Sequence, residues 1–361
     1  MSIPDVFTSN RQITRTMIVG NLGYIGPVLT AFLRRETSDA ALIGYDTGYF
    51  AGCFLNPLES ADHLPDLQIH ADVRNVRAEH LAGIDKVIYL AAISNDPMGN
   101  LYEEPTEEIN STAAKRFAEF AKRAGARSFV YASSCSIYGA GGSDFKTEQS
   151  QINPLTAYAR SKVSCEQALV EYADQNFMVT CLRFATACGA SPRLRLDLVL
   201  NDFVASALLN REIKILSDGA PWRPLIDVED MCKAISWALD RHESTGGAYL
   251  AVNVGHNDHN YTIRDLAYAV QRELPGASVN INTSAPADKR SYRVDFSLYA
   301  SLNERAKSGK PLEKTVLELV QTIQASDFRV SDFRNSYLIR LHALSRLRES
   351  KRLDSSLRWT P

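Results

Sequence analysis

The chain has 361 residues, with 40 Lys plus Arg against 42 Asp plus Glu, 45% hydrophobic and 23% charged residues. That length carries one large core or two closely joined domains, and so even a charge balance argues against a polyanion, so no nucleic-acid partner is expected. No run of eighteen apolar residues occurs, which excludes a transmembrane helix and with it a membrane partner, and the polar first fifteen residues lack the apolar stretch of a secretory leader, so a cytoplasmic location is expected.

In chain order, residues 1–14 read as a polar extension. Thr16 to Val19 is a buried strand, Ile25 to Arg35 has helical spacing, and Ala41 to Tyr45 is a second strand leading into a loop rich in Gly and aromatics. Lys86 to Leu90 and Ser128 to Ala132 are further strands, separated by a long amphipathic helix over Thr106 to Ala124. A helix from about Tyr158 to Asp174 precedes a strand at Met178 to Phe184. Apolar runs without alternation, separated by helices, predict a parallel sheet covered on both faces, a doubly wound (Rossmann-like) α/β fold. Beyond Cys188 the periodicity loosens: helices are predicted near Asn201 to Leu209, Val228 to Asp240 and Ile263 to Leu274, with a strand at Ala248 to Val254. The division expected is a dinucleotide-binding domain over 15–187, joined by about 224–255. A smaller interleaved substrate domain takes 188–361 and ends in an Arg-rich helical tail read as a surface helix with solvated charges. The six cysteines form no CxxC pair and mostly sit in apolar segments, the pattern of reduced, buried thiols.

Gly20-Asn21-Leu22-Gly23-Tyr24-Ile25-Gly26 follows the first strand and opens a helix. Glycines there allow a tight turn and close approach to a pyrophosphate, whose charge meets the helix N-terminal amides. The spacing is GxxGxxG, which on its own also fits a plain turn. Asp46 ends the second strand, where an acid accepts hydrogen bonds from a ribose diol and repels a 2′-phosphate, favouring NAD over NADP; the alternative is a turn Asp. Asp72 falls where an acid would contact adenine. Tyr158 and Lys162 lie four apart on one helix face, so that the ammonium can lower the phenol's pKa for work as an acid or base. Ser133-Ser134, ending the preceding strand, can bring a hydroxyl to the same place. The seven histidines form no ligand set, so no metal is expected; His256 and His259 read as surface residues.

Val19 to Gly26, Val87 to Ala92, Tyr131 to Gly139, Tyr158 to Lys162 and Leu182 to Thr186 together resemble the extended short-chain dehydrogenase/reductase family, and within it the nucleotide-sugar epimerase/dehydratase branch. The resemblance implies bound NAD held by Gly20, Gly23, Tyr24, Ile25, Gly26, Asp46, Asp72, Val73, Leu90, Ala91, Ala92, Tyr158 and Lys162. It implies Tyr158 as catalytic acid/base, Lys162 holding the nicotinamide ribose and tuning Tyr158, and Ser134 bonding the reacting oxygen, with Ser133 the alternative serine. It also implies a nucleotide-diphosphate sugar as substrate and a homodimer built from the helices containing Thr106–Ala124 and Tyr158–Asp174.

The two residues after Ser134 separate the subclasses. Family 4,6-dehydratases carry acids there; this chain has Cys135 and Ser136, neither of which does carboxylate work. The family's 3,5-epimerising reductases place Cys two residues before the motif tyrosine, where Ser136 stands. What remains is 4-epimerisation, or a single oxidation or reduction at C4. For the substrate, Asn201 resembles the family asparagine near the diphosphate and Arg223 the arginine that clamps it, with Arg290 a second clamp and Asn95 in a polar loop able to read the sugar. A helix cap for Asn201, solvated charges for the arginines and an ordinary Asn-Asp-Pro turn at Asn95 remain open. Arg193 and Arg195 face either a phosphate or solvent, and Asp227 stands where many relatives have His.

Overall fold

The computed structural model describes residues 13–37, 40–56, 62–140, 142, 144–284, 291–306 and 308–360; most of the extension expected over 1–14, and Arg290, lie outside them. The chain opens with β1 (Arg15–Val19), α1 (Ile25–Glu36), β2 (Ala41–Asp46), β3 (Leu67–His70) and β4 (Lys86–Tyr89). Two short helices, α2 (Asp96–Leu101) and α3 (Glu103–Glu107), follow, and α3 runs through a π-helical turn (Glu108–Thr112) into α4 (Ala113–Arg123). Next come β5 (Ser128–Ser134), β6 (Phe145–Lys146), α5 (Ala157–Leu169), β7 (Met178–Phe184) and β8 (Thr186–Cys188). The remainder holds α6 (Val199–Asn210), β9 (Glu212–Ile215), β10 (Trp222–Asp227), α7 (Val228–Leu239), β11 (Tyr249–Val254), β12 (Asn260–Thr262) and α8 (Ile263–Glu273). It closes with β13 (Ser278–Ile281), β14 (Arg293–Val294), α9 (Ser297–Leu302), α10 (Leu312–Ala325) and α11 (Arg340–Glu349).

Seven strands form one parallel sheet in the order β3-β2-β1-β4-β5-β7-β11. Strand alternation sends Met17, Val19, Val87 and Tyr89 to the face covered by α4, and Ile18, Ile88, Val130 and Val252 to the face covered by α1 and α7. Both faces are thus sealed, which is why the strands read as unbroken apolar runs. A third core, around Leu200, Phe203, Ile213, Leu225, Leu266 and Val316, holds the smaller lobe together with short sheets β8-β10-β12 and β9-β13. β11 returns from that part of the chain to the edge of the main sheet beside β7. No helix among the described residues is long and apolar enough to cross a membrane. All six cysteines are buried and unpaired with one another.

Three features differ from the sequence reading. The Asn95-Asp96-Pro97 segment is a helix start: Asn95 Oδ1 accepts from the Met98 amide at 2.9 Å, and the proline occupies the first turn, where its missing N–H costs nothing. His256 and His259 are buried, not surface residues, with His256 Nε2 3.6 Å from Asp230 Oδ2. The Arg-rich tail keeps Arg329, Arg334, Arg346 and Arg352 exposed, as expected, but Arg340 is buried, and Leu344, Leu353 and Leu357 join the core on the α4 face of the sheet.

The Arg183 and Tyr138 of the resembling motifs serve the core. Glu166 on α5 accepts from Arg183 at 2.7 Å and from the Ser133 hydroxyl, and Arg183 reaches the Tyr138 hydroxyl at 3.2 Å, all inside the protein. This cluster joins α5 to β5 and β7. Removing one member of a buried charged pair leaves the other unsatisfied, so Glu166→Ala should cost about 3–5 kcal/mol in urea unfolding, and the double variant Glu166→Met/Arg183→Met should recover part of it.

Candidate active site

In a doubly wound sheet the crevice opens where neighbouring strands send their connections to opposite sides, here between β1 and β4. Gly20 ends β1 at φ +89°, and a side chain there would place its Cβ 2.5 Å from the Ala91 backbone nitrogen. Gly26 packs α1 onto the turn, its Cβ position 2.1 Å from the Asn21 carbonyl oxygen; it lies beneath the crevice and not on its wall. Gly23 meets only the Gly20 carbonyl at 3.3 Å and leaves the start of α1 open. From this turn runs a cleft of about 880 Å³, lined by Gly20, Gly23, Tyr24, Ile25, Asp46, Asp72, Val73, Leu90, Ala91 and Ala92 at one end and by Ser134, Ser136, Tyr158 and Lys162 at the other.

At the first end, Asp46 accepts from the Gly48 amide at 2.7 Å and the Leu22 amide at 3.0 Å. Burial pushes its carboxyl above the ordinary value, and these two bonds pull it back. Asp72 caps a short turn and gives both oxygens to Arg74, at 2.6 Å for the closest contact. Its carboxylate therefore arrives at the cleft already paired.

At the other end, Ser134 and Tyr158 both line the cleft, with the Ser134 Oγ accepting from the Ser136 amide at 3.1 Å and its side chain near enough to act on the Tyr158 phenol. Ser133 also lines the cleft, but its hydroxyl donates to Glu166. Cys135 points away, fully buried with its thiol on the Arg183 carbonyl at 3.0 Å, while Ser136 lines the cleft with a buried hydroxyl that has no partner. α5 is set in place by Asn110 on the π-helical turn, whose amide bonds both backbone groups of Ile93 and the Ser161 hydroxyl at 2.8–3.0 Å. Gly99 of α2 lets that helix approach the Tyr158 backbone, where a Cβ would sit 3.1 Å from its nitrogen.

Lys162 donates to the Ala132 carbonyl at 2.7 Å, with its ammonium 5.6 Å from the Tyr158 ring centre. Burial lowers it to about 8. The expected depression of the phenol by this lysine is not what the structure shows. Burial raises Tyr158 above its ordinary value; the neighbouring Ser134 side chain and then the Arg195 guanidinium oppose that rise.

Arg195, with Arg193, was read as facing a phosphate or solvent; neither faces solvent. Arg193 is fully buried and pairs with Asp62 through two 2.7 Å bonds. Arg195 forms a two-pronged pair with Asp197 and donates to Ser94 at 2.8 Å. Burial works against the Asp197 charge, but Arg195 outweighs it and holds the carboxyl below the usual range. Asn95 lines the cleft, yet its amide is engaged by the α2 start and by Asp197 at 2.7 Å. Asn201 is a correction: it is wholly buried outside the cleft wall, tying the Gly189 amide (3.1 Å) and the Arg195 carbonyl (3.0 Å) under the floor. Arg223 does line the cleft, its guanidinium 5.9 Å from the Tyr292 ring and donating to the Trp222 carbonyl. Asp227 caps α7 and accepts from Thr315 at 2.8 Å, so the position stands outside the cleft chemistry. Ser136, Asp197, Tyr292 and Arg340 also reach the wall; no spacing in the sequence marks them. Among the described residues no three or more His, Cys, Asp or Glu converge as a metal site.

The sequence profile described as the NAD dependent epimerase/dehydratase family matches residues 16–255. The chain belongs to that family. A UDP-glucose 4-epimerase of Corynebacterium glutamicum is 25% identical over 280 residues, spanning 73% of this chain and 80% of that protein. The solved NAD-dependent NDP-hexosamine 5,6-dehydratase TunA superposes with a TM-score of 0.74 at 20% identity, covering 87% of this chain and 99% of that one. A Bacillus cereus UDP-glucuronic acid 4-epimerase, solved with UDP-glucuronic acid and NAD, has a TM-score of 0.71 at 22% identity, with 86% and 99% covered.

This family member is therefore an NAD-dependent enzyme. Its cleft fits the dinucleotide on its own evidence: an open helix start at Gly23, an acid ending β2, and two buried polar atoms on residues of the wall, Ser136 Oγ and Arg340 Nη1, with no hydrogen-bond partner among the described residues.

The Lys162 shift carries a sign that can be measured. Its folded value near 8 lies below the 10.5 of a solvated lysine, so the folded cleft binds this proton less well than the unfolded chain does. The cost is full below about pH 8 and vanishes as pH rises toward 10.5. Lys162→Met should gain stability over the parent at pH 7, by up to about 3 kcal/mol, with the difference shrinking by pH 10 in urea unfolding of the dinucleotide-free protein.

Proposed function

We propose that this enzyme is a nucleotide-sugar 4-epimerase working through a 4-keto sugar. The observation that carries the reading is that Ser134 and Tyr158 line one cleft while the two positions after Ser134 carry no carboxylate: Cys135 is turned into the core and Ser136 offers only an Oγ. Such a site can move a proton to and from a carbinol oxygen, and the two positions after Ser134 lack the acid that elimination of a neighbouring hydroxyl uses. The UDP-sugar epimerases among the relatives support the substrate class.

Bound NAD supplies hydride acceptance and return at the sugar carbon. Tyr158 Oη removes the C4 hydroxyl proton and gives it back after the keto sugar has turned. Ser134 holds the same oxygen and polarises it as a carbonyl. Lys162, fixed by the Ala132 carbonyl, keeps a positive charge beside the phenol, and Arg195 adds a second. Ser136 Oγ takes a sugar hydroxyl. Arg223, at the far end beside Tyr292, holds the sugar-nucleotide diphosphate with its guanidinium fork. The protein acts as a homodimer through α4 and α5. A C4 dehydrogenase or ketoreductase would use the same groups and release its product after one hydride transfer.

Product analysis by NMR with UDP-, GDP-, dTDP- and CDP-hexoses, followed at 340 nm, separates these readings: an isomeric sugar without net NADH is expected, and a keto or reduced sugar with stoichiometric NADH change would replace epimerisation by dehydrogenation or reduction. Tyr158→Phe should lower turnover by at least about 100-fold while NAD still binds. Asp46→Ala should weaken NAD more than NADP in calorimetric titration, since the carboxylate's contribution is to the ribose diol.

A further inference from the structure

Arg340 lies outside the family match, on the first turn of α11, yet its side chain is buried and lines the cleft. Nη2 donates to the Arg193 carbonyl at 2.7 Å, and the guanidinium stands 5.2 Å from the Phe50 ring centre. Nη1 has no hydrogen-bond partner among the described residues. Its two arginine neighbours are each satisfied by a carboxylate, Arg193 by Asp62 and Arg195 by Asp197. Arg340 has no ion pair of its own among the described residues. The Cys53 thiol lies against Arg340 and the Asp197 carboxylate acts on it at longer range, but Nη1 stays open, and a buried donor left unmade costs the desolvation of that group; burial lowers Arg340 to about 10.

The surroundings locate what the open donor faces. The 189–197 loop, to which Arg340 is bonded, lies over the start of α1: Ser191 donates to the Tyr24 carbonyl, and the Tyr24 hydroxyl donates to the Gly189 carbonyl, both at 2.7 Å. On its other side is the segment after Asp46, of which Phe50 is part. Arg340 thus stands between the helix start that receives a pyrophosphate and the acid that receives the adenosine ribose. The tail's last residues hold the same segment: Trp359 Nε1 donates to the Thr47 carbonyl at 2.8 Å, the Tyr49 hydroxyl to the Leu357 carbonyl, and Arg74 to the Ser356 carbonyl at 2.6 Å. Arg223, the cation suited to the sugar nucleotide, is at the opposite end beside Tyr292.

We propose that Arg340 is a dinucleotide-binding residue: its open Nη1 completes the pyrophosphate subsite of NAD, and the C-terminal tail closes over the adenosine half of the cofactor. The inference rests on NAD lying along the Gly20–Gly26 turn, which NAD binding by the parent and its loss in Gly23→Trp check separately.

The test is calorimetric titration of dinucleotide-stripped protein with NAD and with UDP-glucose, on the parent, Arg340→Met and Arg340→Lys. Arg340→Met should weaken NAD about 10- to 100-fold and leave UDP-glucose within about threefold of its parent value, with Arg340→Lys intermediate for NAD. Unchanged NAD affinity in Arg340→Met overturns the proposal, as does a variant that loses UDP-glucose and keeps NAD, for then the arginine serves the other diphosphate. Should the variants not fold, hydrogen exchange on the parent decides: NAD alone should slow exchange in peptides spanning 336–349, and absence of that protection, or equal protection by UDP-glucose alone, overturns the assignment.

Discussion

Everything at this site depends on how closely the end of β1 approaches β4. The Gly20 backbone lies so near Ala91 that a methyl group would overlap its nitrogen at 2.5 Å. Because β1 and β4 then send their connections to opposite faces, a crevice opens with an exposed helix start at one side and the Ala91-Ala92 backbone at the other. No side chain has to be displaced for a dinucleotide to lie there. The acid ending β2 and the serine ending β5 are then placed by strand register alone, on either side of the same opening.

Polar groups buried around this crevice sort into those that build and those that remain open. Glu166, Arg183, Ser133 and Tyr138 satisfy one another and carry no vacancy, as do Arg193 with Asp62 and Arg195 with Asp197. Two donors among the described residues, Ser136 Oγ and Arg340 Nη1, stay open on the cleft wall, where a ligand would supply partners. Burial acts on the whole set in one direction, against charge: it raises Tyr158 and Asp46 and lowers Lys162 and Arg340.

Much of this was legible in the sequence. The glycine turn, Asp46, Ser134, Tyr158 and Lys162 are local signals: each is fixed by its distance from a strand end or by helical spacing of four. The strands around them were visible as apolar runs because both faces of the sheet are covered. The weaker readings were those resting on a single residue in an irregular stretch. Asn201 carries the right letter near a helix start, but its amide is taken up by backbone groups under the cleft. The lysine's influence on the phenol was inferred from spacing, whereas the balance of burial against neighbouring charges is set by every element packed around Tyr158.

Sequence by itself determined the doubly wound fold and marked the glycine turn, Ser134, Tyr158 and Lys162, which the structure brings to one cleft, because these lie in patterns a few residues long at strand ends and at helical spacing. Tertiary structure alone decided that the Ser133 hydroxyl is taken up by Glu166, that Asp227 caps a helix, and that the buried Arg340 reaches the cleft wall. Those outcomes depend on which distant backbone groups take up a side chain's hydrogen bonds. Arg340 and Arg193 are 147 residues apart, and no local period can express a contact across that distance.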